Sequence, residues 1–108
     1  MNTQRITTDI KNVGSTILHI QRSLSELLQF KDKMKSYLCE PTTAQLFETK
    51  QLLQDRISGH IAIHENELRK MEHKKNILNE ELYRIQEQLE ASKELEKGIS
   101  SYILAVHP

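Results

Sequence analysis

His60 and His64, four residues apart and followed by Glu67, are the residues of this 108-residue chain best suited by type and spacing to chemistry. On a helix that spacing turns two imidazoles and a carboxylate toward a similar side, as a zinc ion would require. The zinc-protease signature needs a Glu directly after its first His, and Ile61 stands there instead. A zinc site also needs three or four converging ligands. The pair therefore reads as polar members of a packed helix face, and no metal ligands and no cofactor are expected. A pH-sensing helix pair is the other use of two such imidazoles, if they titrate together.

Nothing else assembles a reaction centre. Ser and Thr are scattered, Asp is confined to Asp9, Asp32 and Asp55, and no Gly-rich phosphate loop occurs. The single Cys39 reads as a helix-end residue and fits a reducing, cytoplasmic setting. No catalytic residues are assigned, and the chain is expected not to be an enzyme. The basic run Arg69-Lys70-Met71-Glu72-His73-Lys74-Lys75 is interrupted by Glu72 and flanked by Glu65, Glu67, Glu80 and Glu81. Without interleaved aromatics it reads as a solvated face rather than a nucleic-acid site.

Fifteen basic and fifteen acidic residues cancel, so no net field draws the chain to nucleic acid or an anionic membrane. Arg5, Asp9 and Lys11 argue against a secretory leader in the first turns. No apolar run approaches the roughly 20 residues of a bilayer span, so no membrane insertion is expected.

The elements that must position these residues are helices. Three Gly, two Pro, three Tyr, two Phe and no Trp are poor material for sheets. Ile6, Ile10, Val13, Ile17, Ile20, Leu24, Leu27, Lys31, Met34 and Leu38 alternate steps of four and three, the seam of a helix packed along its length. Cys39-Glu40-Pro41 ends it, and Thr42-Thr43-Ala44-Gln45 matches a capping box for the next helix. The second seam runs Leu46, Lys50, Leu53, Ile57, Ile61, His64, Leu68, Met71, Lys75, Leu78, Leu82, Ile85 and Leu89. Ile57 to Ile61 repeats a step of four around Gly59, a stutter that shifts the winding of one long helix.

The expected fold is all-α: one helical domain over 1–108, an antiparallel coiled-coil helical hairpin with a longer second helix. Helix one spans about 3–38, a hinge 39–42, helix two about 43–97, and a short apolar segment 99–106 either folds on binding or continues helix two. A break near Gly59, giving a three-helix bundle, is the alternative. Folding at Pro41 pairs Leu27 with Leu53, Ile20 with Ile61 and Ile17 with His64, and exhausts helix one near Lys75. Leu78, Leu82, Ile85 and Leu89, joined by Ile99 and Ile103, are then left to bind a partner. A second patch near the hinge comprises Leu28, Phe30, Tyr37, Phe47 and Leu52. These features predict a non-catalytic scaffold or adaptor subunit that joins other helical subunits in a homo- or hetero-oligomer. Polar seam residues such as Lys31, His64 and Ser92 favour a heteromeric partner. A small chaperone shielding an assembling or secreted helical client is the alternative.

The stretch from Gln4 to Asp9-Ile10 and on through Ile20-Gln-Arg-Ser-Leu-Ser-Glu-Leu27 resembles the first helix of the N-terminal regulatory bundle of endosomal syntaxins. The resemblance covers about a quarter of the chain. It implies a three-helix regulatory bundle acting in vesicle trafficking; helix two as read above is longer than one arm of such a bundle.

Overall fold

A computed structural model describes the backbone of residues 2–36, 39–74 and 76–106, with side chains from Val13 onward. The expectations for Ile6, Ile10, Tyr37, Leu38 and Lys75 lie outside the described side chains. The chain forms three helices, α1 (Asn2–Lys35), α2 (Ala44–Met71) and α3 (Asn79–Val106), with no strand among the described residues. Every pair of helices is in contact, in a body of 55 × 25 × 17 Å.

The first helix stops earlier than its seam suggests. Ser36 and Cys39 fold into a tight turn, with N–H groups donating to Lys33 O and Ser36 O at 3.1 and 3.0 Å. The hinge therefore starts at Ser36, not at Cys39. Thr43, rather than Thr42, caps α2: its extended backbone precedes the helix and its Oγ1 accepts from the Leu46 N–H at 3.1 Å. Either threonine has the right chemistry, and only the backbone conformation chooses between them.

The long second helix of the sequence reading is two helices. The interruption lies between Met71 and Asn79, not near Gly59, through which α2 runs without a break. Arg69 and Lys70 in the last turn of α2 suit the negative end of its dipole, and Glu80 and Glu81 in the first turn of α3 suit the positive end. That basic-to-acidic switch marks one helix stopping and another starting. Lys74 and Glu81 close the turn with an ion pair, and this contact chiefly holds the Glu81 carboxyl below its usual range. Ile77, on neither seam, turns inward and is buried with Ile20, Met71 and Ile85. Burying such a side chain is worth on the order of 1.5–3 kcal/mol, an apolar reward for the turn.

Chain reversal after Met71 brings α3 back over the other two helices. Gly98 does not stop it, and residues 99–106 continue the same helix. Two apolar clusters result. Leu27, Met34, Cys39, Leu53, Ile57, Ile61, Leu95, Ile99 and Tyr102 fill the hinge half. Ile20, Met71, Ile77 and Ile85 fill the half beside the second turn. Tyr102 also donates its hydroxyl to Cys39 O at 2.8 Å, tying the end of α3 to the hinge.

Ile57 is fully buried, so Ile57→Ala should cost about 2–5 kcal/mol in urea unfolding. A Cβ at Gly59 would meet nothing within 4 Å, and Gly59→Ala should stabilise by roughly 0.5–1 kcal/mol. A loss of stability at Gly59→Ala would contradict a continuous helix there.

Candidate functional site

The buried face of α1 is broader than one seam. Thr16, Ile20, Ser23, Leu27 and Met34 are the most buried of its described positions, with Val13, Ile17 and Leu24 packed less completely beside them. A helix covered by two neighbours buries the line between the two contacts, which here brings in two hydroxyl residues off the predicted row. On α3 the stripe Ile85, Ser92, Leu95, Ile99 and Tyr102 is buried, so Ser92 faces inward as its seam position suggested.

Ser23, His64 and Ser92 meet between the two apolar clusters. The Ser23 hydroxyl lies 2.9 Å from His64 Nε2, and the Ser92 hydroxyl lies 3.1 Å from the same nitrogen. His64 Nδ1 lies 3.0 Å from Glu67 Oε1. His60 Nδ1 lies 2.8 Å from Ser92 Oγ and 3.2 Å from Gln88 Nε2. His64 thus stands opposite Ser23 rather than the expected Ile17, between one and two turns further along α1. The six-residue network draws on all three helices, and no described buried side-chain nitrogen or oxygen lacks a partner.

Its proton order follows from donor and acceptor chemistry. With Nδ1–H of His64 donating to Glu67, Nε2 is left to accept from a serine hydroxyl. The Gln88 amide, in the orientation present, donates to His60 Nδ1, so His60 carries its proton on Nε2. Burial, then the charges of His64 and Arg56, hold the His60 pKa below its ordinary value.

Hydroxyl, imidazole and carboxylate in this order can activate a serine nucleophile. Three features set this arrangement apart from an acyl-transfer centre. His64 has no exposed surface, and two hydroxyls share its one acceptor. Ser23 also sits deep within α1, whose backbone N–H groups are spent on carbonyls one turn back and cannot line an oxyanion hole.

Ser23 reaches the surface in a cleft of about 320 Å³ between α1 and α3, lined also by His19, Arg22, Glu26, Lys93 and Glu96. Here burial, then the hydrogen bond and charge of Glu26, push the Glu96 carboxyl up to about 8, against the pull of Lys93. Glu96 of α3 and Glu26 of α1 thus meet across the helix interface, where a protonated Glu96 can donate to Glu26.

The chain matches no known protein family, no curated protein and no solved structure. Among the described residues no group of three or more His, Cys, Asp or Glu is placed to hold a metal ion. No described helix is long and apolar enough to cross a membrane.

The six residues assigned to a partner are placed differently from one another. Ile85 and Ile99 are buried inside the chain, and Leu82, Leu89 and Ile103 pack part-buried against the two clusters. Only Leu78 stays open, 68% exposed. The uncovered stripe vanishes because α3 folds back and finds its cover on α1 and α2. In the patch near the hinge, Phe30 packs on the core while Leu28, Phe47 and Leu52 are exposed.

Glu96 gives a pH dependence of definite sign. Unfolded, it loses its proton near 4.5; folded, near 8. The folded state binds the extra proton between those values, so stability falls as pH rises through that window and levels above it. Glu96→Gln keeps an amide donor for Glu26 and should flatten that decline, read as urea midpoints at about pH 5 and about pH 9. Parallel declines in both proteins would exclude the Glu96 proton as its cause.

Proposed function

We propose that this chain is a non-catalytic three-helix bundle acting as a scaffold or adaptor that joins other helical subunits. The observation carrying this reading is the end of the molecule beside the second turn. Leu78 and Tyr83 are 68% and 63% exposed there, with Ile63 and Leu18 also open on the neighbouring helices. At the same end α1 continues as helix upstream of Val13 to Asn2, whereas α2 stops at Met71, which packs in the cluster that Val13 joins. A helix extended past its neighbours, beside open Leu and Tyr side chains, offers a partner helix an apolar footing.

A vesicle-trafficking regulatory bundle is the second reading. It is favoured by the division of the chain into helices of 34, 28 and 28 residues, which removes the over-long second arm. The single Cys39, buried in the hinge, suits a reducing, cytoplasmic setting.

Leu78→Asp combined with Tyr83→Asp should leave the stability of the isolated chain within about 0.5 kcal/mol, because both side chains are solvated. The same variant should abolish self-association in sedimentation and co-purification of a helical subunit. A wild-type chain that stays monomeric at every concentration and co-purifies with nothing would remove the scaffold reading. A partner that leaves once assembly is complete would favour the chaperone alternative.

A further inference from the structure

We propose that the His60–Ser92–His64 layer is a proton-operated latch that holds α3 against α1 and α2 near neutral pH and releases it in acid. Ser92 is the single hydroxyl between two imidazoles, 2.8 Å from His60 and 3.1 Å from His64. It is also α3's deepest polar contact, with no exposed surface.

One added proton fits. An imidazolium at His64 donates from Nε2 to Ser92 or Ser23 and keeps Glu67, 3.0 Å away, as its counter-charge. Ser92 can then turn its own proton toward His60 Nδ1, so each polar atom stays paired.

A second proton does not fit. On His60 Nδ1 it would face the Gln88 amide donor and compete for Ser92 with the His64 ring. Around His60, Arg56 adds positive charge from α2, and among the described residues no carboxylate lies in hydrogen-bond contact. From α1 the layer is faced by Ser23, with His19, Arg22 and Glu26 in the adjoining cleft. From α3, Lys93 and Glu96 line that cleft, and burial and Glu26 push the Glu96 carboxyl up. Glu67 is the one carboxylate in the network, and His64 already uses it.

Depression of the His60 pKa gives the direction. Above the ordinary imidazole value of 6.5 both docked and released forms carry neutral His60. As pH falls below it, the released form takes the proton more readily, so docking weakens until the lowered docked value is passed. This acid loss opposes in sign the alkaline loss that Glu96 brings one helical turn further along α3. The two windows overlap between pH 4.5 and 6.5, so the His60 effect is isolated in a Glu96→Gln chain.

Cys39 supplies the readout. It is buried with Ile99 and Tyr102 of α3, and Tyr102 donates to its carbonyl at 2.8 Å. Its rate of reaction with an acid-active pyridyl disulfide, relative to the denatured chain at the same pH, measures release of α3. In Glu96→Gln, which removes the opposing carboxyl, protection should fall about tenfold between about pH 7 and about pH 5, and it should stay constant once His60→Gln is added. Gln88→Glu, which puts a carboxylate beside His60, should also keep its protection and serves if His60→Gln loses helicity at neutral pH. Flat protection in Glu96→Gln, or added His60 or Gln88 substitutions that leave its decline unchanged, would overturn the proposal. Hydrogen exchange supplies the second readout: α3 amides should open while those around Leu27 and Ile57 remain protected. Opening of all three helices together would overturn it as well, since acid would then be melting the fold.

Discussion

His64 has no exposed surface, and each nitrogen of its ring must find a polar partner or cost about 1–3 kcal/mol. Leu or Ile at the same position would accept any register that kept the row apolar. Histidine accepts only those that deliver a hydroxyl to Nε2 and an acceptor to Nδ1. Ser23 from α1, Ser92 from α3 and Glu67 from its own helix meet that demand at 2.9, 3.1 and 3.0 Å. The layer separates two apolar clusters that, being non-directional, could each slide by a turn at modest cost. A buried polar residue that fixes register is well attested in helical assemblies. Here it fixes α3 as well as α2.

Reversal at the second turn lets α3 answer that demand. No Gly or Pro enforces it. Basic residues at the end of α2, acidic residues at the start of α3, the Lys74–Glu81 pair and the inward Ile77 together make a turn preferable to continued helix. Each contribution is small, and each depends on the chain having already turned. The reversal also changes what the surface can offer. Apolar side chains that would coat a long overhang become internal, and the open ones remain at the ends and edges, with Leu104, Leu78 and Tyr83 foremost among the described residues.

Much of the fold was legible in the chain. The α2 row Leu53, Ile57, Ile61, His64 and Met71 is buried as its spacing requires, because a 3.6-residue period carries its face with it. The steps of four around Gly59 fit a helix that runs on without a break. The hinge at Pro41 follows from a ring that has no N–H. The site was less legible. Ser23 lies beside the apolar row of α1, not on it, and a row marks one contact direction where α1 has two. Ser92 lay on the row but had no visible partner while α3 was read as an overhang. The basic-to-acidic switch across the second turn was the available signal, and a solvated charged face accounts for the same residues equally well.

By itself, then, the sequence determined the helical class, the first hinge and the apolar faces of α1 and α2. Those properties are local, set by periodicity, by proline geometry and by the cost of exposing Leu and Ile. Tertiary structure alone decided that the chain turns after Met71, that Leu82, Ile85, Leu89, Ile99 and Ile103 are covered by the chain itself, and that His60, His64, Ser23 and Ser92 share one layer. Those outcomes depend on contacts between residues far apart in the chain, and each becomes favourable only once the others have formed.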